Sequence, residues 1–381
     1  MPVPRPVFDP AANAAEVAAE LRISADSHFG EPPDLWEQRL PTRFRDGALH
    51  FPRIALYETN HHLRTGGWEP QARLKDLALD GVSAEVLYPT LGANAWRIED
   101  HELEAAHIRT YNDWVAEFCS AAPERFWGQA MISIWDIDGA VQELERCKGA
   151  GLRGATIPIG PPEQLPYTSP HYEKFWAAAQ ALEMPLSMHI NSLQVPRPEW
   201  GLLPYPVTKF HAMWSMADLI GSGVLERYPE LKIIFAETGS GWIPYFAQEY
   251  EYYLSDGRLG GKTLPLAPSE YIYRQVYTTF IGDKLGGYLA ADYGKDNFLW
   301  SSDYPHPACT WPYSGEIIAQ DLGHLAPETR ANIIRSTIAK LYNGGELPPP
   351  ADPVPTDYQP LDNWNQSMRL PGAGAAFAGT A

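Results

Sequence analysis

Two short motifs, ADSH at residues 25–28 and SSDYPHP at residues 301–307, carry residue types that could bind a metal ion or move a proton. Each motif ends a mainly apolar run, which places Asp26, His28 and Asp303 at the ends of predicted buried strands. Residues two apart on a strand point to the same side, so Asp26 and His28 can face one volume. Mixed carboxylate and imidazole ligands suit Zn²⁺, Mn²⁺ or Fe²⁺.

Two further predicted strands end in the same kinds of residue. His189 ends the run in MHINS, and Glu237 ends the run in FAETG. If all four strand ends meet at one face of the fold, three carboxylates and two imidazoles occupy one small volume. Like charges that close repel unless a cation or protons intervene. A bound divalent metal is the simplest resolution.

The elements that must position these residues are strands that alternate with helices along the chain. Eight buried strands, most of them followed by a helix, predict a distorted (β/α)8 TIM barrel, in which active sites lie at the carboxyl ends of the strands. The predicted strands are 21–28, 84–90, 126–135, 152–160, 185–192, 231–239, 275–282 and 297–305, and the clearest predicted helices are 100–121, 137–150, 169–183 and 211–228.

The barrel is predicted to carry additions at both ends and after its first strand. Residues 1–20 are interpreted as an N-terminal arm and residues 21–345 as the barrel. Within the barrel, residues 29–80 are a long insertion predicted to cover the mouth. Residues 346–381 are rich in Pro, Gly and Ala and predict an extended tail that wraps its own barrel or a neighbouring subunit.

Composition narrows the classes of partner. The net charge of −18 argues against nucleic acid and against an anionic membrane surface. No apolar run reaches the roughly 18 residues of a membrane helix, and the N-terminus lacks a signal-peptide pattern. Three widely spaced cysteines suggest neither a disulfide framework nor a metal-binding pair. These features predict a cytoplasmic protein that acts on a small molecule.

Each candidate ligand has a simpler alternative. Asp26 could cap a helix, His189 could be a core histidine bound to a carbonyl, and Asp303 could form the turn before Tyr304. Glu237 could cap its own turn or pair with an arginine. The presence of the other residues at the same barrel end favours the site for all four.

A second group of residues lies near the predicted mouth. His211 begins the helix after strand 5. It and Glu237 are candidate catalytic residues beside Asp303, and a helix-surface role is the alternative for His211. The remaining candidates would bind substrate and could equally be loop-packing or solvated residues; they are His61, His62, Trp68, Trp242 and His306. The chain lacks the GxSxG, GxGxxG, GxxxxGK[ST] and HExxH motifs, which leaves the strand-end cluster as the concentrated signal.

Four segments together resemble the amidohydrolase-2 family, which includes aminocarboxymuconate-semialdehyde, resorcylate and carboxyvanillate decarboxylases. They are ISADSHFGEPPDLWEQRLP, MPLSMHINS, RYPELKIIFAETGSGWIPY and LWSSDYPHP, in that order. The resemblance spans roughly residues 20–345. It implies a distorted (β/α)8 barrel with metal ligands at Asp26, His28, His189 and Asp303.

The chain departs from this family's pattern in two ways. Many members have His-x-His on strand 1, where this chain has Asp26 and His28. The muconate-pathway decarboxylase also has a catalytic histidine after strand 6, where this chain has Glu237. This change removes a proton shuttle and adds a further possible ligand. The set Asp26, His28, His189, His211, Glu237 and Asp303 could therefore hold two metals, as in some relatives with a dinuclear iron centre.

Three functions follow from this interpretation. The leading one is metal-dependent decarboxylation or hydrolysis of a small carboxylate, with the ion as Lewis acid and Asp303 as proton carrier. The second is O₂-dependent hydroxylation at a dinuclear iron-containing site. The third is a non-catalytic barrel within a hetero-oligomer. The tail and the resemblance also predict a homo- or hetero-oligomer.

Overall fold

The structure, a computed structural model, describes residues 10–49, 64–190, 192, 208–255, 264–294, 296–306, 308–356 and 358. Over these ranges, no helix is long and apolar enough to cross a membrane. Cys119, Cys147 and Cys309 are buried free thiols.

Eight parallel strands in the described residues form one sheet whose strand order follows the chain. They are β1 (Arg22–His28), β2 (Val82–Tyr88), β3 (Phe126–Met131), β4 (Gly154–Pro158), β5 (Leu186–His189), β6 (Ile233–Ala236), β7 (Val276–Phe280) and β8 (Phe298–Trp300). Each overlaps a predicted strand. Two main-chain hydrogen bonds join β1 to the segment after β8, from Asp303 N to Asp26 O (2.9 Å) and from His28 N to Tyr304 O (2.7 Å). The predicted (β/α)8 barrel is confirmed.

The α-helices of the described residues lie between and around these strands. They are α1 (Pro10–Ala18), α2 (Leu35–Arg39), α3 (Pro70–Asp80), α4 (His101–Cys119), α5 (Ile137–Gly149), α6 (Glu173–Ala181), α7 (His211–Gly221), α8 (Val224–Arg227), α9 (Ile243–Ser255), α10 (Pro268–Gln275), α11 (Lys284–Leu289), α12 (Ser314–Leu322), α13 (Pro327–Ala331) and α14 (Thr337–Tyr342). The single helix predicted over 211–228 is divided into α7 and α8, because Gly223 adopts a left-handed conformation with φ 77°.

The segment predicted as a mouth-covering loop, residues 29–80, contains regular structure. Its last eleven residues form α3, which ends at Gly81 in a left-handed conformation. Leu74, Leu77 and Ala78 repeat at helical spacing and pack towards the core. The many polar residues of the segment conceal this repeat in the sequence.

Part of the predicted tail contacts its own barrel. Arg125 donates hydrogen bonds to the carbonyls of Pro349 (3.3 Å) and Pro350 (3.0 Å) and pairs with Asp352. Farther on, the Tyr358 hydroxyl accepts from Arg64 at 2.9 Å. Residues 359–381 lie outside the described residues.

The interior of the barrel is identified by a hydrogen bond between strands that are not neighbours. The Tyr88 hydroxyl of β2 lies 2.9 Å from the Ser187 hydroxyl of β5. Because side chains alternate along a strand, His189 points inward with Ser187. The site residues therefore approach each other across the barrel axis.

Candidate metal centre

Asp26 and His28 occupy the carboxyl end of β1, and both are buried. His28 Nδ1 lies 3.1 Å from the carbonyl of Pro89. A carbonyl oxygen only accepts hydrogen bonds, so this contact puts the proton on Nδ1 and leaves Nε2 with a lone pair when the ring is neutral. Thr279 Oγ1 donates to Asp26 Oδ2 at 2.9 Å, which leaves Asp26 Oδ1 for the site.

His189, at the end of β5, is oriented in the same way. Its Nδ1 lies 2.7 Å from the carbonyl of Ile190, so its Nε2 is the nitrogen that faces the site. The Nε2 atoms of His28 and His189 are 3.0 Å apart. Asp26 Oδ1 lies 3.5 Å from the first and 3.6 Å from the second. The three residues therefore direct one donor atom each at a common point.

Glu237 and Asp303 follow β6 and β8 and bring two more carboxyl groups to this point. Glu237 Oε2 lies 3.7 Å from His189 Nε2, and Asp303 Oδ1 lies 3.5 Å from His28 Nε2. Both residues have left-handed backbones, with φ 57° and 58°. Such conformations cost non-glycine residues energy and are concentrated at functional sites. The Glu237 N–H donates to Thr279 Oγ1 (2.7 Å), which holds one of these turns.

These donors fit one divalent metal ion. Two ligands each about 2.1 Å from one ion lie about 3.0 Å apart at a right angle and about 3.4 Å apart at the tetrahedral angle. The observed separations among the Nε2 and carboxylate atoms, 3.0–3.7 Å, are close to that range. Asp26 Oδ1 is also buried without a hydrogen-bond partner in the described part of the chain, as expected of an atom that a cation satisfies.

The two imidazoles have opposite pKa shifts. Burial, reinforced by His306, lowers the pKa of His28 to about 4. Burial acts in the same direction on His189, but the carboxylates of Asp26 and Glu237 outweigh it and raise that pKa to about 9. Although burial opposes ionisation of Asp26, His189 and His28 hold its pKa well below the usual range. A proton on His189 therefore balances Asp26 where no cation does.

The other two carboxyl groups are shifted towards neutrality. Burial raises the pKa of Glu237 to about 7, with a further contribution from the charge of Asp303. Burial likewise raises the pKa of Asp303 to about 7. A carboxyl group with a pKa near the working pH can both give and take a proton, which is what general acid–base chemistry requires.

His306 borders the same site. Its Nδ1 lies 3.0 Å from Asp303 Oδ1, its ring stacks on His28 at 3.8 Å, and its Nε2 lies 3.1 Å from the Thr90 hydroxyl. His28, Asp303 and His306 form a second group of three donors with metal-ligand proximity. The structure thus places His306 at the strand-8 corner; its predicted contact with substrate stays a prediction.

The remaining sequence candidates have different surroundings. Half-buried His211 begins α7 and belongs to neither group of three donors. Trp242 donates its ring N–H to the Gly239 carbonyl at 3.0 Å and packs on Phe235. Trp68 packs partly against the main core. His61 and His62 lie outside the described residues.

Sequence reasoning missed the residues that support the ligands. Thr279 bonds both Asp26 and Glu237, and its position near the end of β7 could have indicated it. Arg73 and Glu85 form a fully buried ion pair with an N–O distance of 2.6 Å beside the site. No local signal distinguishes Arg73 from a surface arginine.

Comparison with known proteins relates the chain to a family. Residues 57–344 match the family model described as Amidohydrolase. Gamma-resorcylate decarboxylase from Rhizobium radiobacter is 26% identical over 312 residues, which cover 74% of this chain and 88% of that protein.

Two solved structures share the fold. An amidohydrolase from Mycobacterium avium subsp. paratuberculosis aligns with TM-score 0.70 and 19% identity over 84% of this chain and 99% of that chain. A dihydroxybenzoic acid decarboxylase from Polaromonas, solved with manganese and the inhibitor 2-nitroresorcinol, aligns with TM-score 0.63 and 22% identity over 84% and 96%.

Proposed function

The chain belongs to the Amidohydrolase family and is an enzyme. We propose that it is a metal-dependent decarboxylase of aromatic carboxylates. The observation that carries this proposal is the pair of imidazoles whose Nε2 atoms face the buried Oδ1 atom of Asp26, which has no hydrogen-bond partner among the described residues. The related resorcylate decarboxylase supports the reaction class, and the manganese of the Polaromonas enzyme supports a divalent ion.

Asp26, His28 and His189 would hold the ion, with Glu237 beside His189. When bound, a divalent ion supplies Lewis-acid stabilisation of negative charge on substrate oxygens. The substrate class that uses this arrangement is a benzoate with a hydroxyl group next to its carboxylate, because two neighbouring oxygens can then share the ion. Manganese, zinc and iron all accept this mixed set of ligands.

Asp303 is the proton carrier in this proposal. Its protonated carboxyl gives the proton to the ring carbon that bears the substrate carboxylate. The bond from that carbon to the carboxylate then breaks, its electron pair restores the aromatic ring, and CO₂ leaves. Solvent returns a proton to Asp303. His306, 3.0 Å from Asp303 Oδ1, orients this carboxyl group.

The test combines metal analysis with a decarboxylation assay on natively purified protein. Gamma-resorcylate and other ortho-hydroxybenzoates are supplied with Mn²⁺ or Zn²⁺, and CO₂ release is measured. In D₂O, one deuterium should enter the carbon that loses CO₂. Asp303→Asn should lower kcat by about 100-fold or more while metal content is retained. The control Asp321→Asn, at another buried carboxyl with a raised pKa, should leave kcat unchanged. Full activity in Asp303→Asn would exclude the proposed proton carrier.

A second candidate, an O₂-dependent hydroxylase with a dinuclear iron-containing centre, is favoured by the donors beyond the first three. Glu237 and the Asp303–His306 pair could supply the ligands of a second ion. A metal content near one ion per chain, without colour and with CO₂ release, supports the decarboxylase. A metal content near two ions per chain that includes iron, with oxygen uptake and no CO₂ release, supports the hydroxylase instead.

A further inference from the structure

We infer that Arg73, held by Glu85, is a positioning residue that fixes the main chain at His28 and at the strand-8 corner. Resting on the proposed metal site, this inference explains how that site keeps its shape. Arg73 lies on α3, in the segment between β1 and β2, and its side chain is fully buried. A buried arginine needs a partner for its charge and for each N–H.

The guanidinium group has five N–H donors, and the structure provides five acceptors. Nε and Nη2 donate to the two carboxylate oxygens of Glu85 at 2.6 and 2.8 Å. Nη1 donates to the carbonyls of His28 (2.8 Å) and Gly66 (3.3 Å), and Nη2 also donates to the carbonyl of Tyr304 (3.3 Å). Two acceptors therefore balance the charge, and three are main-chain groups around the site.

The three carbonyl groups belong to segments that must keep a fixed relation. His28 is a candidate ligand, and Tyr304 follows Asp303. The Tyr304 carbonyl also accepts from the His28 N–H at 2.7 Å, so Arg73 reinforces the junction between β1 and β8. Gly66 precedes Gly67, whose carbonyl accepts from Gly30 N at 2.8 Å, just beyond the same strand end. The arginine thus joins both candidate-ligand segments to the insertion.

A positioning role can be separated from a general contribution to stability. Removal of one partner from a buried ion pair strongly destabilises a fold, whereas replacement of both partners by apolar side chains can restore stability. The double variant Arg73→Met/Glu85→Leu removes both buried charges together with the three bonds to main-chain carbonyls. Arg73→Lys keeps the charge but lacks the planar fork of five donors.

The experiment measures amide hydrogen exchange by mass spectrometry on metal-free protein, together with Mn²⁺ affinity. In the double variant and in Arg73→Lys, we expect exchange to become about tenfold faster or more at the peptides that contain His28, Gly30 and Asp303. We expect the Mn²⁺ Kd to rise about 10- to 100-fold, as when groups that orient ligands are lost. The rest of the barrel should keep its protection.

Arg125 provides a matched control at a distance from the ligands. It is also buried, donates to the carbonyls of Ser83, Pro349 and Pro350, and pairs with a carboxylate. Arg125→Met should lower Tm without changing exchange at the three site peptides. Unchanged exchange and Mn²⁺ affinity in the folded Arg73 variants would overturn the inference. Wild-type protein that binds none of Mn²⁺, Zn²⁺ and Fe²⁺ would refute the proposed function, while the exchange data would still decide the role of Arg73.

Discussion

Thr279 offers a sensitive test of the way the site is built. Its hydroxyl donates to Asp26 Oδ2 (2.9 Å) and accepts from Glu237 N–H (2.7 Å). Thr279→Val keeps the shape of the side chain and removes both bonds. A hydrogen bond to a charged group contributes about 1.5–3 kcal/mol, and a buried N–H left without an acceptor costs about 1–3 kcal/mol. Because the main chain can relax, we expect the free energy of unfolding to fall by about 2–4 kcal/mol.

Thr156 in β4 is the matched control. It is equally buried, and its hydroxyl has no partner among the described residues. Thr156→Val should therefore leave stability unchanged or raise it by about 0.5–1 kcal/mol. Urea denaturation of the two variants and the wild type, all metal-free, measures the difference. Equal effects of the two substitutions would refute the reasoning, since they would show that the hydroxyl of Thr279 holds neither Asp26 nor Glu237.

Two further predictions concern residues outside the candidate ligand set. Burial raises the pKa of Glu104 to about 7, above its unfolded value of about 4.5, so its ionisation opposes folding. The free energy of unfolding should fall by up to about 3 kcal/mol as pH rises from about 4.5 to 7. Urea denaturation of Glu104→Gln at the same pH values should not show this fall. Tyr358→Phe removes the hydroxyl that bonds Asp76 and Arg64 and should cost about 1 kcal/mol by urea denaturation, with kcat/KM unchanged; an unaltered midpoint would mean that the tail does not bind there in solution.

The strands could be predicted because each is a short, mainly apolar run, and four of these runs lead into a residue that can bind a metal ion. Parallel strands in a barrel all end at one face, so Asp26, His189, Glu237 and Asp303 could be brought together from sequence. The contacts that support these ligands could not be predicted from sequence. Arg73 and Glu85 are separated by a helix end and a strand start, and only the folded barrel shows that their charges are buried as a pair.

The predicted loop over residues 29–80 shows the same limit at the level of secondary structure. In α3 the buried residues include Arg73, Asp76 and Asp80 as well as Leu77 and Ala78. Polar residues therefore occupy inward positions that helical periodicity assigns to apolar ones. They are stable there because Glu85, Arg64 and Ser314 supply partners from elsewhere in the chain.

Asp26, the acidic residue of the strand-1 motif, affects the charge of the proposed site. Asp26, Glu237 and Asp303 would place three carboxyl groups around one divalent ion, which leaves one negative charge if all three ionise. A buried net charge is costly, and one proton on Glu237 or Asp303 removes it. An anionic substrate increases the negative charge and favours that proton further. A chain with a neutral histidine in place of Asp26 would carry one negative charge fewer and would need this proton only after an anionic substrate binds. On the proposed function, the exchange of an imidazole for a carboxylate therefore keeps a proton beside the carbon that must receive one.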